Sequence, residues 1–255
     1  IKYRLDQWKP DAILYVVDSR QALHFSHLFE ISKKWLGEKT ALHHVSFGSV
    51  LGADRKPIKT RSGDAVASLA NLLDEAVKLA KATYEESRKA GNESESSISD
   101  EDLQNISEIV GVGAVKYADL SQNRTSDYVF NWDKMLAMDG NTATYMQYAY
   151  ARNRSIFRKS EISLQDLYAQ KPKVLLETPE ERSLAIQLFR FEEALRLSVQ
   201  DFRPNQITAY LWDLAKAYSV FFQKCPVLKA TSNELKLSRL TLCDLTARVL
   251  KQGLH

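Results

Sequence analysis

Residues 56–63 read Lys-Pro-Ile-Lys-Thr-Arg-Ser-Gly, three cations interleaved with hydroxyls and closed by a glycine. Only Asp54 and Asp64 lie close enough in sequence to neutralise Lys56, Lys59 and Arg61, so the segment reads as a loop that does not pack. Ammonium and guanidinium donors beside glycine amides suit a polyanion, and can hold a triphosphate while negative charge moves onto its leaving oxygens. The same residues also fit a solvated basic loop, because a phosphate loop without a fixed glycine pattern is a weak signal.

A second constellation lies further on. Tyr145, Tyr148 and Arg152 stand at i, i+3 and i+7, so a helix starting after Gly140 would carry two rings and a guanidinium along one face. Such a face could read RNA, since unstacked bases are held by aromatic and Arg planes at about 1–3 kcal/mol per stacked base. The alternative is that the rings are core and Arg152 a surface cation; the same choice stands for Tyr210, Trp212, Phe221 and Phe222. His24 and His27 could present two metal ligands on a helix, but no cysteine is near and a structural zinc site needs about four ligands, so packing or hydrogen bonding is the reading. No Gly-x-Ser-x-Gly turn occurs, and neither cysteine adjoins a histidine. Gly111-Val112-Gly113 follows no strand, so it reads as a helix break and not as a dinucleotide site.

These groups need a scaffold. Asp11–Asp18 is an almost continuous apolar run, the pattern of a parallel strand buried on both faces. Phe25, Leu28, Phe29, Trp35 and Leu36 recur at helical spacing up to Gly37, and a second strand-like segment starts near Ala41, completing a β-α-β unit. Asp18, Arg20, Gln21 and the loop after Phe47 would then line the carboxyl edge, where doubly wound sheets bind ligands. From Asp64 onward the pattern is helical. Leu69, Leu72, Leu73, Ala76 and Ala80 mark one helix, Asn92–Ser99 is a polar spacer, and Ser99–Asp102 resembles a capping box. Thr178-Pro179-Glu180-Glu181 is a stronger helix start. Three apolar stripes follow: Leu184, Leu188, Phe191, Leu195 and Val199; Ile207, Leu211, Leu214, Tyr218 and Phe222; Leu235, Leu242, Leu245 and Val249. Together they predict a bundle.

At 255 residues and 44% hydrophobic, the chain is large enough for two domains. A net charge of +3 permits an anionic partner without demanding one. Two cysteines cannot build a disulfide scaffold and no apolar run is long enough for a membrane span, which points to the cytosol and away from membranes. Without an initiator Met, and with a helical pattern running out at His255, both ends read as cut from something longer.

The succession of motifs resembles the arginyl-tRNA synthetases, class I aminoacyl-tRNA ligases, from about Asp11 to the end. The resemblance is carried by Tyr15-Val16-Val17-Asp18-Ser19-Arg20-Gln21-Ala22-Leu23-His24-Phe25, by His44-Val45-Ser46-Phe47-Gly48, and by Lys59-Thr60-Arg61-Ser62-Gly63, which is similar to a degenerate Lys-Met-Ser-Lys-Ser signature. It is carried most specifically by Val112–Ser121, Tyr128–Asp133 and Gly140–Arg152. The fold it implies is α/β followed by all-α: the second half of a Rossmann-like nucleotide-binding domain over 1–80 with the signature loop at 56–63, connecting helices and spacer over 81–114, and an anticodon-binding helical bundle over 115–255.

The activity it implies is ATP-dependent attachment of L-arginine to tRNA(Arg) through an arginyl-adenylate. Lys59 and Arg61 match catalytic positions of the signature loop, and with Thr60, His44 and Gly48 they would border ATP and its Mg2+. Gln21 matches a position near the arginine substrate. Tyr145 and Arg152 match the helix that meets the anticodon loop, and Phe222 falls near an aromatic used there. No protein-bound metal is expected, and the full-length form is expected to be a monomer. The family's His-Ile-Gly-His motif has no counterpart in the sequence, so these residues alone are expected not to activate arginine. The alternative is a non-catalytic tRNA-binding module of the same ancestry.

Overall fold

The computed structural model describes residues 1–37, 39–52, 54–56, 68–90 and 98–255, the side chains of 87–90 excepted. The polar spacer up to residue 97, and the signature loop from residue 57, lie outside the described residues. The chain divides into two compact units: one formed by the described residues of Ile1–Lys59 with Gln122–Phe130, the other by those of Thr60–Ser121 with Asn131–His255.

In the first unit a short helix α1 (Lys2–Trp8) leads into strand β1 (Ala12–Asp18), helix α2 (Ala22–Leu36) and strand β2 (Ala41–Phe47). β1 and β2 pair in parallel from Ala12 opposite Ala41 to Asp18 opposite Phe47, so the expected β-α-β unit is present. Phe25 is its anchor: buried on α2, it meets Tyr15 at 5.1 Å, Phe29 at 5.7 Å and the His44 ring, stacked at 4.6 Å. Two expectations need correction. β1 alternates between covered and exposed residues, with Leu14 45% and Val16 65% exposed, because among the described residues only one face of the sheet is packed. Trp35, placed on the apolar stripe of α2 by spacing, is 84% exposed.

Strands do not end at Asp64. After β3 (Val50–Leu51) the chain returns to this unit as β4 (Tyr128–Val129), parallel to β3. A two-residue strand is too short to leave a period-2 pattern, so only the tertiary pairing identifies it.

The second unit is helical. α3 (Leu69–Ala90) and α4 (Asp100–Leu120) pack on each other. α4 runs unbroken through Gly111 and Gly113, which corrects the expected helix break. The reason is proximity: a Cβ on Gly111 would stand 2.6 Å from the backbone carbon and oxygen of Ala76, so glycine lets two helix backbones touch. Ser99 caps α4 by accepting from the Asp102 amide at 3.0 Å.

Then follow α5 (Trp132–Leu136), α6 (Ala143–Ser160), α7 (Leu164–Ala169), α8 (Pro179–Phe189), α9 (Phe191–Asp201), α10 (Asn205–Lys224) and α11 (Asn233–Leu254). The stripe read from Leu184 to Val199 is two helices meeting at Arg190. The break turns the register, so Ala194 and Ser198 are buried on α9 while Val199 is 69% exposed. The other two stripes lie largely inward. Leu211, Leu214 and Tyr218 of α10 belong to one buried cluster with Leu240, Leu242 and Leu250 of α11, each at most 1% exposed. α11 buries polar side chains as well. Arg239 donates through Nε to Glu181 at 2.7 Å and through a terminal nitrogen to the Pro226 carbonyl at 2.9 Å, while the Ser238 hydroxyl bridges the amide and carbonyl of Leu175.

Candidate functional site

The carboxyl edge of the β1–β2 pair is built by local rules. Asp18 closes the turn after β1 by accepting from the Arg20 amide at 2.8 Å, and its carboxylate takes the Arg20 guanidinium at 2.8 and 2.9 Å. The Arg20 side chain first, and its amide next, hold the Asp18 carboxyl down to about 2. Gln21 ends this turn as the residue before α2, with its side chain exposed. On the neighbouring strand His44 donates from Nε2 to the Val17 carbonyl at 2.9 Å.

Gly48 stands where β2 ends. A Cβ there would lie 2.5 Å from the Ser126 carbonyl oxygen, and its amide donates to the Arg124 carbonyl at 2.8 Å. Arg124 in turn reaches the Ser46 carbonyl, and Asp127 accepts from the Ser49 amide at 2.6 Å. The segment 122–130 thus laces the strand ends, and Arg124 and Asp127 are residues that sequence reading missed. Their only signal was nearness to the Tyr128–Asp133 block. Beyond β3 a tight turn begins, the Gly52 amide donating to the Lys56 carbonyl at 2.9 Å with Arg55 left-handed at φ 58°. Lys56 lies 4.0 Å from Asp54, so its charge is partly answered. Lys59, Thr60 and Arg61 are outside the described residues.

The second candidate face belongs to the helical unit. Gly140, with φ +78°, and Thr142, which accepts from the Tyr145 amide at 3.2 Å, start α6. The Tyr117 hydroxyl donates to Asn141 at 2.7 Å, so two of the blocks that carried the resemblance meet in space. Tyr145 and Arg152 are half-buried, and each touches an aromatic of α10. Tyr145 meets Trp212 edge to face at 5.1 Å, and the Arg152 guanidinium lies 3.9 Å from the Phe222 centroid. Tyr148, between them on α6, is 47% exposed. Tyr210 and Phe221, which spacing could not sort, are 7% and 0% exposed and belong to the core. A ledge of rings with a stacked guanidinium can take flat, electron-rich ligands in the manner of unstacked bases. Among the described residues no three His, Cys, Asp or Glu side chains are grouped as metal ligands, and no helix is long and apolar enough to cross a membrane.

Residues 1–132 match the model of tRNA synthetases class I (R), catalytic domain, and residues 146–255 match the DALR anticodon binding domain. The chain belongs to the class I tRNA synthetases of the arginine (R) group. It is 45% identical over 255 residues to the arginine–tRNA ligase of Escherichia coli O127:H6, covering 99% of this chain and 42% of that protein. It is 44% identical over 256 residues to the arginine–tRNA ligase of a Marinomonas species, again covering 42% of its length. The arginyl-tRNA synthetase structure from Plasmodium falciparum superposes with a TM-score of 0.81 at 31% identity, over 99% of this chain and 41% of that one. The Thermus thermophilus enzyme gives 0.75 at 29% identity, over 96% and 39%. The chain therefore spans about 42% of the length of the curated relatives it matches. The α/β-then-helical class read from the sequence is the one these matches define.

Proposed function

We propose that this chain forms part of an arginine–tRNA ligase, which joins L-arginine to tRNA(Arg) using ATP with Mg2+. The observation that carries this reading is the succession, in one chain, of a class I catalytic match up to residue 132 and an anticodon-domain match from residue 146. In the reaction the arginine carboxylate attacks the α-phosphorus of ATP as the bond to pyrophosphate breaks; a terminal ribose hydroxyl then takes the arginyl group and AMP leaves.

Lys59 and Arg61 stabilise charge on the departing pyrophosphate, with Thr60 donating beside them. Mg2+ contributes charge neutralisation on the phosphates. Gln21 serves the arginine substrate, and its exposed place at the carboxyl end of β1 favours this, since open parallel sheets take ligands there. His44 and Gly48 border the nucleotide, at the adjoining end of β2. Tyr145, Arg152 and Phe222 receive anticodon bases. The complete ligase works as a cytoplasmic monomer.

The test is tRNA charging by a ligase that carries these residues. Lys59→Ala and Arg61→Ala are each expected to lower kcat on the order of 100- to 1,000-fold while leaving tRNA affinity in place. Unaltered kcat in both variants overturns the loop assignment. Absence of charging by any longer chain containing this sequence would favour a non-catalytic tRNA-binding module.

A further inference from the structure

The Tyr145–Trp212 and Arg152–Phe222 contacts advance in the same direction along α6 and α10. They form two rungs of one ladder, separated by 7 residues on α6 and 10 on α10. In each rung the α6 member is a group able to stack on a base, and the α10 member is a ring packed against it. Trp212 carries something more. On its own helix the Lys216 ammonium lies 5.3 Å from the indole centroid, a cation held over an aromatic ring. Lys216 also pairs with Asp213 at 2.8 Å, but both side chains are about half exposed, at 50% and 48%. An exposed pair of this kind is worth about 0–1 kcal/mol, so the ammonium is readily exchanged onto another anion.

We infer that Trp212 and Lys216 extend the RNA-reading face along α10 beyond Phe222: Trp212 as the positioning residue for Tyr145, and Lys216 as a contact to a backbone phosphate next to the base that Tyr145 receives. This rests on the reading of the α6 face as an anticodon surface. The chemistry divides cleanly between the two residues. A ring that orients another ring affects which base is preferred and leaves the ionic contribution alone, whereas an ammonium on a phosphate binds every sequence equally and releases counterions. Asp213 competes with that phosphate for Lys216.

The experiment measures binding of two tRNA transcripts, one with an arginine anticodon and one with the anticodon replaced, across a salt series. The parent chain is compared with Trp212→Leu, Trp212→Phe, Lys216→Met, Asp213→Asn and Tyr145→Ala, each checked for native helicity. Trp212→Leu is expected to reduce anticodon preference about tenfold with an unchanged salt slope, and Trp212→Phe to restore it. Lys216→Met is expected to weaken both transcripts alike and to reduce the slope of log affinity against log salt by about 0.7 to 0.9. Asp213→Asn is expected to tighten both transcripts at low salt. Full preference in a folded Trp212→Leu chain, or an unchanged slope in Lys216→Met, overturns the inference. If Tyr145→Ala also keeps full preference, the α6 reading itself has failed; if Tyr145→Ala loses preference while Trp212→Leu does not, only the α10 extension has.

Discussion

The guanidinium of Arg152 on α6 lies 3.9 Å from the centroid of Phe222 on α10; both side chains are half-buried, and Phe222 packs against the helical core. The contact orients a planar cation and leaves part of it accessible, as the proposed anticodon face requires.

Arg152→Lys retains the charge and loses the plane. It is expected to bind tRNA with the parent salt dependence and a reduced anticodon preference, whereas Arg152→Ala should lose both. Titration of matched and anticodon-swapped transcripts separates these outcomes.

Glu181 and Arg239 form a pair 0% and 7% exposed. Burial would raise the Glu181 carboxyl, but the Thr178 amide, the Arg239 side chain and the Glu177 amide together hold it below its ordinary 4.5. Its contribution is therefore complete above that range and is lost as pH falls through 4.5 toward the lower folded value. Urea unfolding of the helical unit, followed by circular dichroism, should show stability falling below about pH 5. Arg239→Met should cost about 3–5 kcal/mol at neutral pH by leaving a buried carboxylate without its cation, and because protonation then relieves that cost the acid dependence should shrink and turn toward the opposite sign.

Gly111→Ala sets two effects against each other. Alanine improves helix propensity by up to about 1 kcal/mol, but its Cβ would stand 2.6 Å from backbone atoms of Ala76. Backbone cannot swing aside, so net destabilisation of about 1–3 kcal/mol is expected in a denaturant titration. Gly113→Ala, whose nearest obstacle is the Gln147 side-chain amide at 3.2 Å, should be milder.

Burial first, with the Asp244 carboxylate next to it, pushes the Cys243 thiol up to about 12, against the opposing Tyr218 hydroxyl. A thiol so raised presents almost no thiolate at pH 8, and Cys243 is 0% exposed, so its alkylation should wait on unfolding of the chain. Mass spectrometry after timed labelling checks this, and rapid modification in native buffer would contradict it.

The sequence by itself determined the features governed by near neighbours in the chain. The Thr178 cap with Pro179 and Glu181 forms as read, and α6 starts after Gly140 where glycine and Thr142 direct it. The β-α-β pattern and the order of the motifs likewise needed only hydrophobic period and residue type. Tertiary structure alone decided what depends on elements distant in sequence. Gly111 is a contact with Ala76 and no break; 122–130 crosses back to the end of β2 through Arg124 and Asp127; Glu181 acquires Arg239 from 58 residues away. It also divided the aromatics of α10, sending Tyr210 and Phe221 inward and leaving Trp212 and Phe222 to face Tyr145 and Arg152. Helical spacing fixes which residues share a side. Which side is covered is set by the packing of the other helices, and no local pattern encodes that.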